Sequence, residues 1–267
     1  MLTKERIFEI TRDTTVAAIR NFAVARMNRE ANFQILDLIM PKEREIRSIV
    51  GGLETSLGTR LWEPLAKSLA EENGFTVLDG REILAPNNIP VDLATIFNDV
   101  LHDREYTGGT YDAETTKTTI QNAWRSIDEP HTSFVKPPPG HGVDVWIEKE
   151  GDNYLFDTKT VQPNVGGYIR FLRQIINWYI YFYAKNPDGT VEARVVFPYN
   201  PFSPSDFWEN TPNSAKPMYP GAEAWVQDDF WDLCTGRDNS YIVIENAFRH
   251  IGEENLVSEE IEMLFGN

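Results

Sequence analysis

The sequence predicts an α/β fold in which helices flank a mixed central β-sheet, with a helical N-terminal region and irregular insertions. Three observations predict it. Residues 142–161 read as two period-two strands around the turn EGDN, residues 168–184 as a long apolar helix, and ARVVF, after the turn NPDG, as another strand. Strand, helix and strand in succession are the pattern of a sheet covered by helices.

Taken in order, the first 50 residues read as helical, punctuated by Pro41. Gly51–Asn73 continues as helix, with Leu57, Leu61, Leu65 and Leu69 at spacing four, Gly74 as a stop, and Pro64 marking a kink or a new first turn. Phe75–Leu78 reads as a strand. Asp79–Lys136 is a mixed insertion whose firm helical feature surrounds Ile120–Trp124, and PPPG at Pro137–Gly140 and the Pro/Ser-rich 198–220 region are irregular loops. The tail EENLVSEEIE reads as an acidic amphipathic helix. No repeat or long linker divides the chain, so the expectation is one domain over 1–267: a helical elaboration at 1–50, a core at 51–198 and a C-terminal elaboration at 199–267.

The hairpin carries the chemistry. If Gly151 and Asp152 form its loop, Glu150 pairs with Asn153, Asp144 faces Lys159 and Trp146 faces Asp157. Side chains alternate along a strand, so Asp144, Asp157 and Lys159 then share one face, while Val143, Val145, Ile147, Tyr154, Phe156 and Thr158 form the other. A loop with an odd number of residues would destroy this convergence. On the helix that follows, Arg170, Arg173, Gln174 and Asn177 fall at spacings of three, four and seven and therefore on one stripe.

Composition narrows the setting. The start, MLTKERIFEITRD, lacks the apolar core of a signal peptide, and the longest apolar stretch, IINWYIYFYA, falls short of the roughly 20 residues that cross a bilayer. One cysteine, Cys234, cannot form an internal disulfide, and four scattered histidines show no zinc-ligand spacing. A reducing cytoplasm is the expected setting, with no membrane partner. A net charge of −16 opposes nucleic-acid binding overall, because phosphate neutralisation by Lys and Arg supplies most non-specific affinity. Yet residues 161–187 contain no acid where the average composition gives about four, and they carry Arg170, Arg173 and Lys185. That pattern suits either one DNA-facing surface on an acidic body or a buried stretch, where acids are rare.

Two carboxylates on one strand face supply the hard oxygen ligands that magnesium prefers, and hydrolysis of a phosphodiester needs such a metal, a placed water and help for the leaving oxygen. Lys159 beside them can have its pKa lowered by the neighbouring cation, or can orient the attacking water and stabilise negative charge. Asp-x-Lys alone occurs by chance roughly once in a chain of this size, and a plain surface hairpin would explain it. The weight rests on Asp144, the parity of the hairpin and the polar-striped helix. Arg suits guanine, Asn and Gln suit adenine, and Asn164, Gly166 and Gly167 could bring backbone amides to a phosphate at the helix start. The competing account is a solvent-facing stripe and a simple loop. His131 and His141 flank the loop before the hairpin; either could touch DNA, although a lone loop histidine is usually just solvated.

GVD at Gly142–Asp144 followed by FDTK at Phe156–Lys159 resembles the PD-(D/E)XK nuclease motif, with Val143 in place of the usual proline. The run FDTKTVQPNVGG, then RQIINWY, FPYNPF and DDFWDL, is similar to the TdeIII-like branch of type II restriction endonucleases, from Gly51 to about Gly236. The resemblance implies a restriction-endonuclease-like fold, magnesium dependence, 5′-phosphate products and a short palindromic DNA target, with GGNCC as a candidate. It also implies a further carboxylate from an upstream helix: GTRLWEPLAKSLAEENGF points to Glu63 as a metal or water ligand, with Glu54 competing. A palindromic duplex favours a two-fold homodimer, for which the aromatic-rich stretch Phe197–Trp231 is a candidate interface, and a restriction enzyme implies a cognate DNA methyltransferase. The alternatives are a less selective nuclease of repair or recombination, and a non-catalytic DNA-binding protein in which Asp144 and Lys159 merely pair across the hairpin.

Overall fold

The computed structural model describes residues 1–26, 33–127, 133–160, 165–209 and 217–266. The chain begins with helices α1 (Lys4–Arg26) and α2 (Pro41–Leu57), with a short 3-10 turn at Ile35–Leu38 between them, and continues through a π-turn at Gly58–Trp62 into α3 (Glu63–Glu72). Strand β1 (Thr76–Leu78), the two-residue strand β2 (Ala85–Pro86), α4 (Val91–His102), α5 (Ala113–Arg125) and the short β3 (Phe134–Val135) follow. Then come β4 (Val145–Lys149), β5 (Asp152–Thr158), α6 (Val165–Lys185), β6 (Thr190–Phe197), β7 (Ala224–Val226), α7 (Asp228–Thr235), α8 (Ser240–Glu253) and α9 (Ser258–Phe265). Among the described residues no helix is long and apolar enough to cross a membrane.

The chain separates into two compact units, residues 1–73 with 231–267, and residues 74–230. Residues 51–73 fall in the first unit and 199–230 in the second. In the first unit Leu61, Leu65 and Leu69 are fully buried, as their spacing predicts. The π-turn answers the question raised by Pro64: this residue has no N–H for the preceding turn, and the Glu63 N–H bonds Gly58 O, one residue further back than in an α-helix. The chain ends are tied together by Leu2 N donating to Thr235 O at 2.9 Å and by Arg237 Nε donating to Leu2 O at 2.9 Å.

The second unit holds a five-stranded sheet in the order β1-β4-β5-β6-β7, antiparallel from β1 to β5 and parallel from β5 to β7. The parallel step between β5 and β6 is bridged by α6, whose apolar side chains fill the core against Ala193, Val195 and Leu155. Much of the acid-free character of 161–187 is therefore burial, since most of residues 168–183 are inaccessible. Helix α4 lies within the mixed insertion, where Leu93, Ile96, Phe97, Val100 and Leu101 carry a helical period.

Two expectations are corrected here. The hairpin turns on Glu150 and Gly151, both with positive φ (56° and 92°), so Lys149 pairs with Asp152 and Val145 with Phe156. A two-residue turn of this hand needs φ above zero at both positions, which glycine in the second place accommodates. The loop remains even, but the ladder ends at Val145: Asp144 sits in a bend and its N–H donates to Phe156 O at 3.0 Å, so it faces neither Lys159 nor any other residue in register, and Val143 packs with Leu155 rather than with Val145 and Ile147. Secondly, the aromatics of Phe197–Trp231 pack into their own chain in part: Tyr199, Phe202, Trp208, Tyr219 and Trp225 keep some exposure. Phe197, Phe207, Phe230 and Trp231 are buried, and Phe207 packs on Phe197 and Trp208 with ring centres 4.8 and 4.9 Å away.

Candidate active site

Strand β5 places Asp157 and Lys159 on one face, two residues apart, and the end of β4 brings Asp144 beside them. Asp144 accepts from the Thr158 backbone N–H at 2.9 Å and the Thr158 hydroxyl at 3.3 Å, so its carboxylate is fixed by the neighbouring strand. Lys159 donates its ammonium to Asp157 Oδ1 at 2.5 Å, while its own backbone N–H extends the β5–β6 ladder to Val196 O at 2.9 Å. The Asp157 side chain is 4% exposed and that of Lys159 is 32%. The acid is therefore held at the floor of the site and the amine reaches toward solvent. Burial pushes the Asp157 carboxyl up to about 7; the Lys159 charge opposes the rise and the Asp144 charge adds to it.

These three residues line an open cavity of about 430 Å³ together with Gly140, Gly142, Arg170, Phe171 and Gln174. Helix α6 thus presents Arg170 and Gln174, four residues apart, to the same space as the carboxylates. The rest of the expected stripe diverges. Arg173 is 53% exposed and lies 3.8 Å from Glu105 Oε1. Asn177 is buried and its amide donates to Arg173 O at 2.8 Å within the helix, so it is not free to read a base. Packing against the sheet sets the rotation of α6, and it turns Asn177 inward. Asn164 and His131 lie outside the described residues.

The loop leading into Asp144 is pinned by three side chains of α6 that sequence reading left unassigned or gave to DNA. Gln174 Nε2 donates to Gly142 O at 3.3 Å, Trp178 Nε1 donates to His141 O at 2.9 Å, and the His141 ring is 2.9 Å from the Tyr181 hydroxyl. Residues 174, 178 and 181 share a helix face, and that spacing was the available signal. His141 is therefore not a free loop histidine, and burial lowers its pKa.

Glu63 lies in the first unit, 3.7 Å from Lys67, and Glu54 is exposed on α2. Among the described residues no three His, Cys, Asp or Glu side chains gather as a metal-binding group. The structure therefore assembles Asp144 and Asp157 of the expected ligands. Their chemistry still fits a divalent cation, because Asp157 Oδ2 is buried with no hydrogen-bond partner, an orphaned hard oxygen beside a second carboxylate.

Comparison with known proteins adds one finding: the family model described as "Type II restriction endonuclease, HinfI" matches residues 3–252. No curated protein and no solved structure matches the chain.

Proposed function

The chain belongs to the HinfI family of type II restriction endonucleases, which makes it a site-specific deoxyribonuclease with DNA as its substrate, and from that premise we propose that Asp144, Asp157 and Lys159 are its catalytic centre. The mixed sheet flanked by helices is compatible with a restriction-endonuclease-like fold. The observation that carries the reading is the convergence of two carboxylates, one with an orphaned buried oxygen, and a lysine in one cavity edged by Arg170 and Gln174.

In this reading the motif is of the PD-(D/E)XK type, with Asp144 and Asp157 holding magnesium. An ion held there by Asp144 and Asp157 would supply neutralising charge for the scissile phosphate and make a water more acidic. Asp157 must then be ionised, and the Lys159 ammonium stabilises that form in a site where burial opposes it. Lys159 also faces the cavity, where it can stabilise charge that develops on the phosphate or orient the attacking water. Arg170 and Gln174 contact the backbone or base edges as the duplex enters, and Arg173, exposed outside the cavity, reads a base. Glu63 enters as an auxiliary water or metal ligand, the further carboxylate that the resemblance implies.

The target is a short palindrome, hydrolysed to 5′-phosphate ends by a two-fold dimer; the TdeIII-like resemblance makes GGNCC one sequence to test. A cognate methyltransferase protects host DNA, and the work is cytoplasmic, in keeping with the buried free thiol of Cys234. The test is digestion of a sequenced plasmid with magnesium or with chelator, followed by sequencing of the ends. Discrete metal-dependent fragments with 5′-phosphates are expected. A smear would point to an unselective nuclease, and absence of cleavage with every divalent metal tried would refute the assignment.

A further inference from the structure

The short turn at Ile35–Leu38 and helix α2 leave an apolar surface that the first unit does not cover. Phe33 is 69% exposed, Ile35 70%, and Leu38 and Ile39 73% each, and Ile46 and Val50, one helical turn apart on α2, are also exposed. The turn and the helix are held together by Arg44 Nε on Asp37 Oδ1 at 3.3 Å, which keeps the apolar residues on a defined surface. Within α2, 17 residues long, Ile49 alone is recorded as buried. A helix that short gains most of its stability from a covered face, so an α2 with little cover is one whose partner is missing.

The size of the surface identifies the partner. Those six side chains expose about 700 Å² of apolar area, taking about 150–200 Å² for each whole side chain, whereas the largest patch of a typical monomer is about 300–600 Å² and a standard interface buries about 800 Å² per partner. The charge matches as well. The whole chain carries −16, which repels copies of itself, but residues 33–50 are neutral, with Asp37, Glu43 and Glu45 against Lys42, Arg44 and Arg47. Nucleic acid would call for a basic surface. A neutral segment of alternating sign around an apolar stripe is complementary to its own two-fold copy, since an isologous contact sets the acidic groups of one helix beside the basic groups of the other. No large hydrophobic residue of the described part of 197–231 is exposed to compete for this role.

We infer that residues 33–50 are the subunit interface, occupied by the same segment of a second copy of this chain. The inference rests on the dimer of the preceding section and gives it a surface. It predicts that the free protein dimerises without DNA or metal.

The experiment is light scattering of the purified full chain in chelator at micromolar concentration, for the wild type and for Leu38→Glu, Ile46→Glu and the control Val91→Glu. Val91 is 80% exposed but lies on α4, outside the surface. The wild type and the control should have twice the mass of one 30.6 kDa chain. Leu38→Glu and Ile46→Glu should weaken association by about 100-fold or more, because each substitution occurs twice in a two-fold contact. Circular dichroism and melting curves establish that each variant is folded, which the exposure of both sites favours. A monomeric wild type would overturn both the dimer and this surface. A wild-type dimer that persists in both glutamate variants, or that the control dissociates, would overturn the surface and leave the dimer standing.

Discussion

Replacing Asp157 with Asn should abolish cleavage and, without divalent metal, stabilise the protein. The carboxyl is raised from 3.8 to about 7, with burial the largest cause. The folded protein therefore keeps a proton that the unfolded chain has released, and stability falls as pH rises from about 4 to about 7 and stays low above that. At roughly 1.4 kcal/mol per tenfold change in acidity, the gap between 3.8 and about 7 sets an upper bound of about 4 kcal/mol on the cost of the ionised group at pH 8. Asn has nearly the same volume and no charge, so the variant should recover a large share of this at pH 8 and almost none at pH 4. Losing the Lys159 partner removes little, because that ammonium is about a third exposed and can turn to water. The assay is urea unfolding of both proteins in chelator at the two pH values, with plasmid cleavage measured in magnesium. Magnesium at 100 times its dissociation constant should stabilise the wild type by about 2.7 kcal/mol and the variant by much less. Equal midpoints at pH 8, or a gain that is the same at pH 4, would refute the buried-charge reasoning. Retained cleavage would remove Asp157 from the site.

Lys159→Met should lower the cleavage rate by about 100-fold or more while the protein stays folded, and single-turnover assays check it. Gly80→Ala should cost about 1–3 kcal/mol in urea unfolding and reduce cleavage as well, because a β-carbon there would sit 1.9 Å from Val143 O, next to Asp144; an unchanged midpoint would contradict that close approach. Arg170→Ala should weaken binding to all duplexes in calcium and reduce the salt slope of affinity by about one phosphate contact. Arg173→Ala should instead lower discrimination between cognate and scrambled duplexes by about 1–3 kcal/mol, measured by competition; unchanged selectivity would leave that residue without a readout role.

The sequence by itself determined which residues could share a face. Alternation in a strand and the helical repeat are local properties of the chain, so Asp157 and Lys159 share a face; Asp144, in a bend before the ladder, is brought beside them by Thr158, and the loop proved to be Glu150–Gly151 rather than Gly151–Asp152. The same locality made the helix stop at Gly74 and the buried Leu61, Leu65 and Leu69 readable, while the acidic tail is helical only from Ser258, after a turn at 254–257. Tertiary structure decided what each face meets. The rotation of α6 against the sheet sends Arg170 and Gln174 to the cavity and buries Asn177, although all three fit one stripe in sequence. Covering decided the fate of the apolar side chains: Phe197, Phe207, Phe230 and Trp231 are enclosed by their own chain, while most apolar residues of 33–50, Ile49 excepted, are left bare. Pairings between distant residues have no local signature at all. Arg104 and Glu223, 119 positions apart, form a fully buried ion pair that also engages Pro217 O, and only the folded chain brings them together. The loop at Gly140–Gly142 belongs to the same class, since its hold on Asp144 depends on three α6 side chains that meet it only after the sheet and helix have packed.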